Sequence, residues 1–338
     1  MTDTVKAITL ASRPKGAPAT SDFATETVEL KAPEAGQVRV QVLWLSLDPY
    51  MRGRMDDAKS YAAPVPLGGV MEGEAVGRIV ASNAEGFAEG DIVIGPFGWS
   101  EGAVVDATHL RRVDPDRAPI QTALGVLGMP GLTAWVGLND IAEAKAGETI
   151  VVSAATGAVG SVVGQLAKAR GLRVIGVAGG AEKCAYAVEE LGFDACIDHR
   201  AEDLAEQLKA AAPEVDIYFE NVGGATLAAV LPLMAVGGRI ALIGMIAWYN
   251  GKNLDQTIPL PAMWRAILTK RLKVQGMIVM DHADRREAFL DEVAPLVADG
   301  RVKYRETVAE GLDQAPEAFL AMLEGGNFGK QLVKVADA

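Results

Sequence analysis

Residues 148–169 constrain the fold more than any other segment, because an apolar strand, a glycine-containing turn and a helical pattern follow one another there. The turn contains Ala155-x-Gly157-x-x-Gly160, which is the pattern G-x-G-x-x-G with alanine at its first position. In that pattern the second glycine lets a pyrophosphate approach the backbone, and the third lets the helix pack closely on the strand. Alanine is compatible with the first position if its φ is negative. The segment predicts a dinucleotide-binding strand–turn–helix unit, although glycines that serve packing alone would give the same letters.

After residue 124, short apolar runs alternate with helical patterns. The strand candidates are residues 148–152, 173–177, 195–197, 215–219, 239–243 and 273–279. The helix candidates include residues 161–169, 182–191, 203–211 and 284–299. Apolar strands separated by helices are typical of a parallel sheet with both faces covered. We therefore expect an α/β fold with a six-stranded, doubly wound Rossmann sheet.

The chain before residue 120 has a different pattern, in which short β-type runs alternate with Gly, Pro, Asp and Asn clusters. These runs are residues 38–42, 75–80, 91–94 and 102–105. They predict a β-rich domain, to which the strand–helix–strand pattern of residues 304–335 is expected to return. Because 338 residues exceed what one hydrophobic core usually organises, we expect two domains. The predicted division is residues 1–123 with 300–338 for one domain, and residues 124–299 for the other.

The charge and cysteine content exclude several classes of protein. The formal net charge is −12, so no basic surplus is available to neutralise the phosphates of a nucleic acid. Cys184 and Cys196 do not make a disulfide framework, and the N-terminal residues lack a secretory signal pattern. The most apolar stretches, residues 122–138 and 230–248, are interrupted by glycines and by a proline or an arginine. We expect a cytoplasmic protein with no nucleic-acid or membrane partner.

The end of the second predicted strand favours NADPH over NADH. Proteins that bind NAD usually carry Asp or Glu there to bind the ribose hydroxyls of adenosine, whereas residues 177–183 read VAGGAEK. Lys183 is positioned to meet a 2′-phosphate, and the alternative is that it is a solvated helix lysine. Glu182 is expected to point to solvent from the first helical turn.

Several segments together resemble the zinc-independent medium-chain dehydrogenase/reductases. They are LSLDPYMRGRM from residue 45, GVLGMPGLTAWVGL from 125, VVSAATGAVGSVVGQLAKARG from 151, YFENVGG from 218, DHADR from 281 and APEAFLAMLEGGNFGKQLVKV from 315. Within that family the likeness is to the prostaglandin reductase, alkenal double-bond reductase and curcumin reductase group. The resemblance implies a GroES-like β-rich catalytic domain, split around a six-stranded Rossmann domain that binds NADP, and a homodimer.

The resemblance also implies which residues bind NADPH. The residues carried over by motif are Gly157, Ala158, Val159, Gly160, Lys183, His199, Asn221, Ile243, Gly244, Met245, Tyr249, Met277, Ile278, Val279 and Asn327. The glycine turn would hold the pyrophosphate, Lys183 the 2′-phosphate and Asn327 the diphosphate. Asn221 would lie near the nicotinamide, residues 243–249 along its ribose and residues 277–279 at its carboxamide.

Two of these assignments have simpler alternatives. His199 stands where the family often has a tyrosine near the adenine ribose; with Arg200 beside it, a histidine can contact phosphate, or it can be a loop residue without a role. Asn221 and Asn327 carry the donors and acceptors that such contacts need, but asparagine is also common in turns.

Metal catalysis is not expected. Zinc members of the superfamily need Cys, His and carboxylate ligands at the catalytic metal and four clustered cysteines at a structural zinc. Two isolated cysteines and three scattered histidines supply neither set. In the place where zinc enzymes carry Gly-His-Glu, this chain has Glu72-Gly73-Glu74.

The reaction that the resemblance implies is reduction of a C=C bond conjugated to a carbonyl. Hydride from NADPH would reach the β-carbon, and negative charge would develop on the carbonyl oxygen, which needs a hydrogen-bond donor. Tyr249 in AWYN is the first candidate donor and Tyr50 in DPYMR the second, although either can be a packing aromatic. Arg52 is expected to hold its loop to a carboxylate.

Three functions stay open at this point. The first is an NADPH-dependent enone or alkenal reductase that acts on a small conjugated carbonyl compound. The second is a quinone reductase of the same superfamily, and the third is a non-catalytic NADPH-binding redox sensor. The AWYN and DPYMR segments favour an enzyme.

Overall fold

The computed structural model describes residues 3–252, 254 and 258–337. The chain divides into two compact units, which we call the β unit (Met1–Gly125 with Glu306–Ala338) and the α/β unit (Val126–Arg305). The chain passes from the first unit to the second two residues later than the predicted division, and it returns six residues later.

The β unit is built on a mixed sheet and a separate two-stranded ribbon. Its strands are β1 (Asp3–Leu10), β2 (Phe23–Leu30), β3 (Gln37–Ser46), β4 (Ala75–Ser82), β5 (Ile92–Gly95), β6 (Gly102–Asp106), β7 (Arg111–Arg112), β14 (Glu306–Glu310) and β15 (Lys330–Lys334). In the described chain the sheet runs β14-β15-β3-β4-β5-β7, with β6 also paired to β3, and β1 pairs with β2. Helices α1 (Met51–Arg54) and α9 (Ala315–Leu323) complete the unit.

The alternation of apolar residues along β3 accounts for its position in this sheet, because Val38, Val40 and Val42 all point into the core. The C-terminal segment enters the same core. Phe319 of α9 packs edge-on against Trp99 at 5.4 Å between ring centroids, and β15 pairs antiparallel with β3. The predicted return of residues 304–335 to the first domain is confirmed.

The α/β unit contains one parallel sheet. Its strands are β8 (Thr149–Ser153), β9 (Arg173–Ala178), β10 (Ala195–Asp198), β11 (Val215–Glu220), β12 (Met234–Leu242) and β13 (Lys273–Gly276). Its helices are α2 (Met129–Val136), α3 (Gly160–Ala169), α4 (Ala181–Glu189), α5 (Leu204–Ala211), α6 (Gly224–Val230), α7 (Leu260–Lys270) and α8 (Arg286–Ala298). The strand order β10-β9-β8-β11-β12-β13 is that of a doubly wound sheet, which confirms the predicted fold class.

Three elements differ from the sequence prediction. The strand expected over residues 239–243 begins five residues earlier, as β12 at Met234. The strand expected over residues 273–279 ends at Gly276, because its neighbour β12 ends at Leu242, the partner of Gly276 in the register. The chain then passes through a 3₁₀ segment, Val279–Arg285, so the helix expected from residue 284 begins as α8 at Arg286. Within the described residues, no helix is long and apolar enough to cross a membrane.

Candidate active site

The turn between β8 and α3 has the geometry of a phosphate-binding loop. Ala155 is buried and is not among the residues with positive φ, so alanine fits the first position of the pattern as expected. The left-handed position is instead Ala154, with a φ of 50°. A methyl group on Gly160 would overlap the Ala154 carbonyl, and one on Gly157 would lie 3.2 Å from the same oxygen. Both glycines therefore keep the turn tight and its amide edge uncovered by side chains, at the N-terminus of α3.

Gly164, one turn later, serves a contact that the sequence prediction missed. A methyl group there would overlap the ring of Phe193. Phe193 is buried on the chain between α4 and β10. The glycine lets α3 approach that ring.

A cluster of basic side chains surrounds Gly179 and Gly180, which follow β9. A methyl group on Gly179 would lie 2.9 Å from His199 Nε2 and 3.4 Å from Arg200 Nη2. A methyl group on Gly180 would lie 3.5 Å from Arg200 Nη1. Lys183, in the first turn of α4, is close enough to both basic residues to affect, or be affected by, their charges. We call Lys183, His199 and Arg200 the basic cluster.

Asp198, which the sequence analysis did not single out, holds the backbone of this cluster in place. Its Oδ1 accepts hydrogen bonds from the backbone N–H of Gly180 and of Arg200, both at 3.0 Å. These bonds lower the pKa of the Asp198 carboxyl group. The Asp198 carboxylate, at the end of β10, therefore binds the backbone of the loop. Glu182 is exposed, as the helical register predicted.

The mutual repulsion of the basic residues is visible in their pKa values. Partial burial lowers the pKa of Lys183, and the positive charge of Arg200 lowers it further. The pKa of His199 is lowered by loss of solvent contact and then by Arg200, while Asp198 acts in the opposite direction. Positive charge is therefore concentrated at the carboxyl end of β9, in a chain whose net charge is −12.

Both cysteines lie on the elements next to this cluster, α4 and β10. Cys184 follows Lys183 on α4, Cys196 lies on β10, and the two thiols are hydrogen-bond partners. Burial raises the pKa of both thiols, and of Cys196 strongly. Neither is in a disulfide.

A second group of polar residues lies where β8 and β11 end. Asn221 Nδ2 donates to Ser153 O at 2.7 Å, and the backbone N–H of Asn221 donates to Ser153 Oγ at 2.8 Å. Ser153 Oγ in turn donates to Glu220 Oε1 at 3.0 Å, and that oxygen also accepts from the Val222 N–H at 2.7 Å. Asn221 therefore has a fixed orientation at this edge of the sheet.

Sequence reasoning also missed Glu220, which lies beside Ser153 and Asn221. It is buried, and burial raises the pKa of its carboxyl group against the opposing effect of its hydrogen bonds. The buried Tyr218 hydroxyl is close enough to interact with the carboxyl group, but neither this hydroxyl nor Glu220 Oε2 makes a well-formed hydrogen bond. A glutamate directly after the run Ile217-Tyr218-Phe219 was the available signal.

The segment after β12 continues the same edge. The backbone N–H groups of Ile243 and Gly244 donate to Glu220 O at 2.9 and 3.1 Å. A methyl group on Gly244 would lie 3.1 Å from Asn221 O and 3.5 Å from the Tyr249 hydroxyl. The Met245 N–H donates to that hydroxyl at 3.3 Å. Asn221, residues 243–245 and Tyr249 are thus brought together.

The remaining predicted site residues lie on the segment after β13 or in the β unit. Met277 is joined to this group, because its N–H donates to Leu242 O at 3.1 Å, and Ile278 and Val279 follow it. Asn327 and Tyr50 belong to the β unit. Asn327 Nδ2 donates to Gly329 O at 2.8 Å, in the loop before β15.

Tyr50 precedes α1 in an acidic and aromatic environment. Burial, followed by the charges of Asp48, Glu74 and Glu72, raises its pKa far above the ordinary value, so the phenol stays protonated. The guanidinium of Arg54 lies 5.7 Å from the Tyr50 ring centroid. A protonated phenol can donate a hydrogen bond.

Two neighbours of Tyr50 in DPYMR, Asp48 and Arg52, make contacts within the β unit. Arg52 donates to Asp56 Oδ1 and to Gly16 O, both at 2.8 Å, so the expected loop-holding role of Arg52 is confirmed. Asp48 accepts from Lys330 Nζ at 2.6 Å, and both side chains are buried.

The segment that replaces Gly-His-Glu is occupied by ion pairs. Glu72 pairs with Arg54 at 3.3 Å and Glu74 with Arg111 at 2.7 Å. Across the described residues, no group of three or more His, Cys, Asp or Glu side chains is arranged to hold a metal ion.

Comparison with known proteins gives matches along nearly the whole chain. Residues 6–113 match the family described as "N-terminal domain of oxidoreductase", and residues 158–295 match "Zinc-binding dehydrogenase". The chain is 47% identical to an NADPH-dependent curcumin reductase of Escherichia coli over 97% of its own length and 96% of the relative. It is 40% identical to a 2-alkenal reductase (NADP(+)-dependent) of Nicotiana tabacum, over 98% and 97%.

A solved structure gives the same result for the fold. The crystal structure of CurA from Vibrio vulnificus in complex with NADPH superimposes with a TM-score of 0.95 and 46% identity, covering 98% of this chain and all of that one. The predicted resemblance is confirmed: the chain belongs to the medium-chain dehydrogenase/reductase family, in the group of the curcumin, prostaglandin and 2-alkenal reductases.

Proposed function

We propose that this protein is an NADPH-dependent reductase of α,β-unsaturated aldehydes and ketones, and that it reduces the C=C bond without a metal ion. The observation that carries the proposal is the gathering of three groups at the carboxyl ends of adjacent strands of one sheet. These are the glycine turn after β8, the basic cluster after β9 and β10, and the Asn221–Tyr249 group after β11 and β12. The names of the relatives, which are reductases of conjugated compounds, support it.

The residues of the α/β unit fit NADPH. Gly160 leaves open the space that a Cβ would fill at the turn, where the pyrophosphate would bind to backbone N–H groups. Lys183, with His199 and Arg200, would bind the 2′-phosphate. Asn221, residues 243–245 and residues 277–279 would hold the nicotinamide half. The predicted contact of Asn327 with the diphosphate is part of the same proposal.

Bound NADPH would supply the hydride that reaches the β-carbon of the substrate. The task of the protein is to stabilise the negative charge that develops on the carbonyl oxygen, and Tyr249 is the first donor for that oxygen. Its oxygen accepts the Met245 N–H, and a phenol can donate one bond while it accepts another. Tyr50, whose phenol stays protonated, is the second donor.

Zinc independence is supported by the ion pairs of Glu72 and Glu74, which occupy the segment where zinc enzymes have a ligand. Treatment with a chelator should leave the rate unchanged, and elemental analysis should find no stoichiometric zinc. Activity that is lost on chelation and restored by zinc would contradict this part of the proposal.

The protein would act as a homodimer through the outer edge of the parallel sheet. Leu260, Trp264 and Leu268 form an apolar stripe on α7, one helical turn apart, and all three are more than 60% exposed. β13 is the last strand of the sheet in the described chain, and Val274 on it is also exposed. A second copy of the chain would cover both features.

Light scattering tests the assembly. The wild type should have twice the 35.5 kDa mass of one chain, and the double variant Trp264→Glu, Leu268→Glu should have the mass of one. Leu67→Glu, at an exposed leucine of the β unit, is the matched control and should remain dimeric. A monomeric wild type would contradict the homodimer. The two cysteines outside a disulfide support a cytoplasmic location.

The decisive experiment for the function is NADPH oxidation with a panel of enals, enones and quinones, followed by mass spectrometry of the products. We expect saturated aldehydes and ketones. Faster turnover of quinones would favour the quinone reductase alternative, and tight NADPH binding without turnover of any compound would favour the redox sensor.

A further inference from the structure

The basic cluster contains one residue whose charge changes near neutral pH. Lys183 and Arg200 carry permanent positive charges at such pH values, whereas a histidine gains or loses its proton there. His199 Nε2 lies over Gly179, beside the Arg200 guanidinium, at the strand end where the adenosine ribose binds in doubly wound folds. A phosphate on the 2′ position of that ribose would therefore meet a titratable group.

We propose that His199 is a proton-linked specificity residue: its protonated imidazole binds the 2′-phosphate, so the preference for NADPH over NADH strengthens as the pH falls. This inference rests on the proposed function, because it assumes that the adenosine half of NADPH binds at the basic cluster.

The groups that face His199 determine its charge in the free protein. From its own segment these are Arg200 and Asp198, and from α4 it is Lys183. Glu182, also on α4, acts on the charge of Lys183. Asp198 is bound to the backbone N–H groups of Gly180 and Arg200, and Glu182 is exposed. Burial, and then the positive charges of Arg200 and Lys183, outweigh the effect of Asp198 and lower the pKa of His199, which favours the neutral imidazole in the free protein.

A 2′-phosphate reverses this balance, because a phosphate monoester carries a charge of about −1.5 to −2 at neutral pH. The pKa of His199 must be higher in the complex than in the free protein, so binding takes up a proton. By linkage, affinity for the phosphate falls as the pH rises from the free pKa to the pKa in the complex. The phosphate itself takes up a proton near pH 6, which opposes the effect at lower pH and must be subtracted.

The probe is 2′,5′-ADP, with 5′-ADP as the ligand that lacks the 2′-phosphate. Calorimetric titration of the intact protein between about pH 6 and 8.5 gives the affinity, and two buffers of different ionisation enthalpy give the proton uptake. The variants are His199→Gln, which cannot be protonated, and His199→Lys, whose charge is permanent. His109→Gln, at an exposed histidine of the β unit, is the matched control.

At the low end of the pH range, we expect the wild type to bind 2′,5′-ADP about ten times more tightly than His199→Gln does. A hydrogen bond to a charged group changes affinity by about that factor or more. His199→Lys should bind tightly without the pH dependence, His109→Gln should match the wild type, and the affinity for 5′-ADP should be flat. The C2–H resonance of His199, identified by its absence in His199→Gln, should titrate at higher pH when 2′,5′-ADP is bound.

An identical pH dependence in the wild type and His199→Gln, or an unshifted His199 resonance, would overturn the inference while leaving the proposed function intact. Failure of the wild type to bind either 2′,5′-ADP or NADPH at any pH would overturn both. A His199→Gln protein that no longer binds 5′-ADP would show that His199 maintains the loop rather than selecting the phosphate, and this too would overturn the inference.

Discussion

Replacement of Lys330 by methionine should destabilise the β unit severely. Lys330 lies on β15, and its Nζ donates to Leu47 O at 2.7 Å and to Asp48 Oδ1 at 2.6 Å. The side chains of Lys330 and Asp48 are 5% and 7% exposed. Ser46 also donates to the Asp48 carboxylate. Methionine has a similar length but no charge, so Asp48 would remain buried without its counter-ion.

The size of the effect follows from that burial. Removal of one partner of a buried ion pair costs about 3–5 kcal/mol, because the remaining charge keeps its desolvation penalty and loses its compensation. For a domain of this size, 1 kcal/mol lowers Tm by roughly 2–4 °C, so a decrease of about 6–20 °C is expected. The lower half of that range would apply if water reaches the carboxylate in the variant.

Urea unfolding followed by circular dichroism measures the decrease in the free energy of unfolding. Lys334→Met is the matched control, because Lys334 lies on the same strand but pairs with the exposed Asp337, and it should change the midpoint little. The double variant Asp48→Asn, Lys330→Met removes both charges and should recover most of the stability. If Lys330→Met unfolds like the wild type, or if the double variant is no more stable than Lys330→Met, the buried pair does not act as argued.

Three further predictions concern the α/β unit. Tyr249→Phe should lower kcat at least about tenfold, roughly 1.4 kcal/mol of transition-state stabilisation, and should lower NADPH affinity less than kcat; a wild-type rate would move the donor role to Tyr50 or water. Lys183→Ala should weaken NADPH roughly ten- to hundredfold and leave NADH nearly unchanged, as kcat/KM for both cofactors will report. Glu220→Gln should be as stable as the wild type at acidic pH and more stable above the raised pKa of Glu220. The reason is that a carboxyl group whose pKa is raised in the folded state destabilises the protein as the pH rises through that pKa. Equal stability of the two proteins at every pH would show that the buried carboxylate is fully compensated.

The sequence predicted the parts of the fold that local patterns determine. Apolar runs between helical patterns identified the six parallel strands, and motifs marked the residues at their carboxyl ends. Since the carboxyl ends of parallel strands share one edge, the proximity of Lys183 to His199 follows from their positions after adjacent strands. The early end of β13 could not be predicted, because it depends on where its neighbour β12 stops.

Contacts between distant segments could not be predicted from the sequence either, because they also depend on how neighbouring elements are placed. Asp48 and Lys330 are 282 positions apart, and each looks like an ordinary surface charge until β15 pairs with β3. In the sequence, Glu220 looks like the polar end of a strand. Only the positions of Ser153 and Tyr218 in the structure show that its carboxyl group is enclosed. Phe193 fills the space at Gly164 in a way that no local pattern indicates.

The state of the two thiols has a consequence for the lifetime of an enzyme that handles reactive compounds. Conjugated aldehydes and ketones are soft electrophiles, and the nucleophile they alkylate is the thiolate rather than the thiol. Cys184 and Cys196 are the only cysteines of the chain. Burial raises the pKa of both thiols, and the contact with Cys184 raises that of Cys196 further, so the thiol form is favoured. We therefore expect this protein to resist thiol alkylation by the substrates proposed for it, and to keep its activity through exposures to acrolein-like compounds that inactivate enzymes with an accessible thiolate.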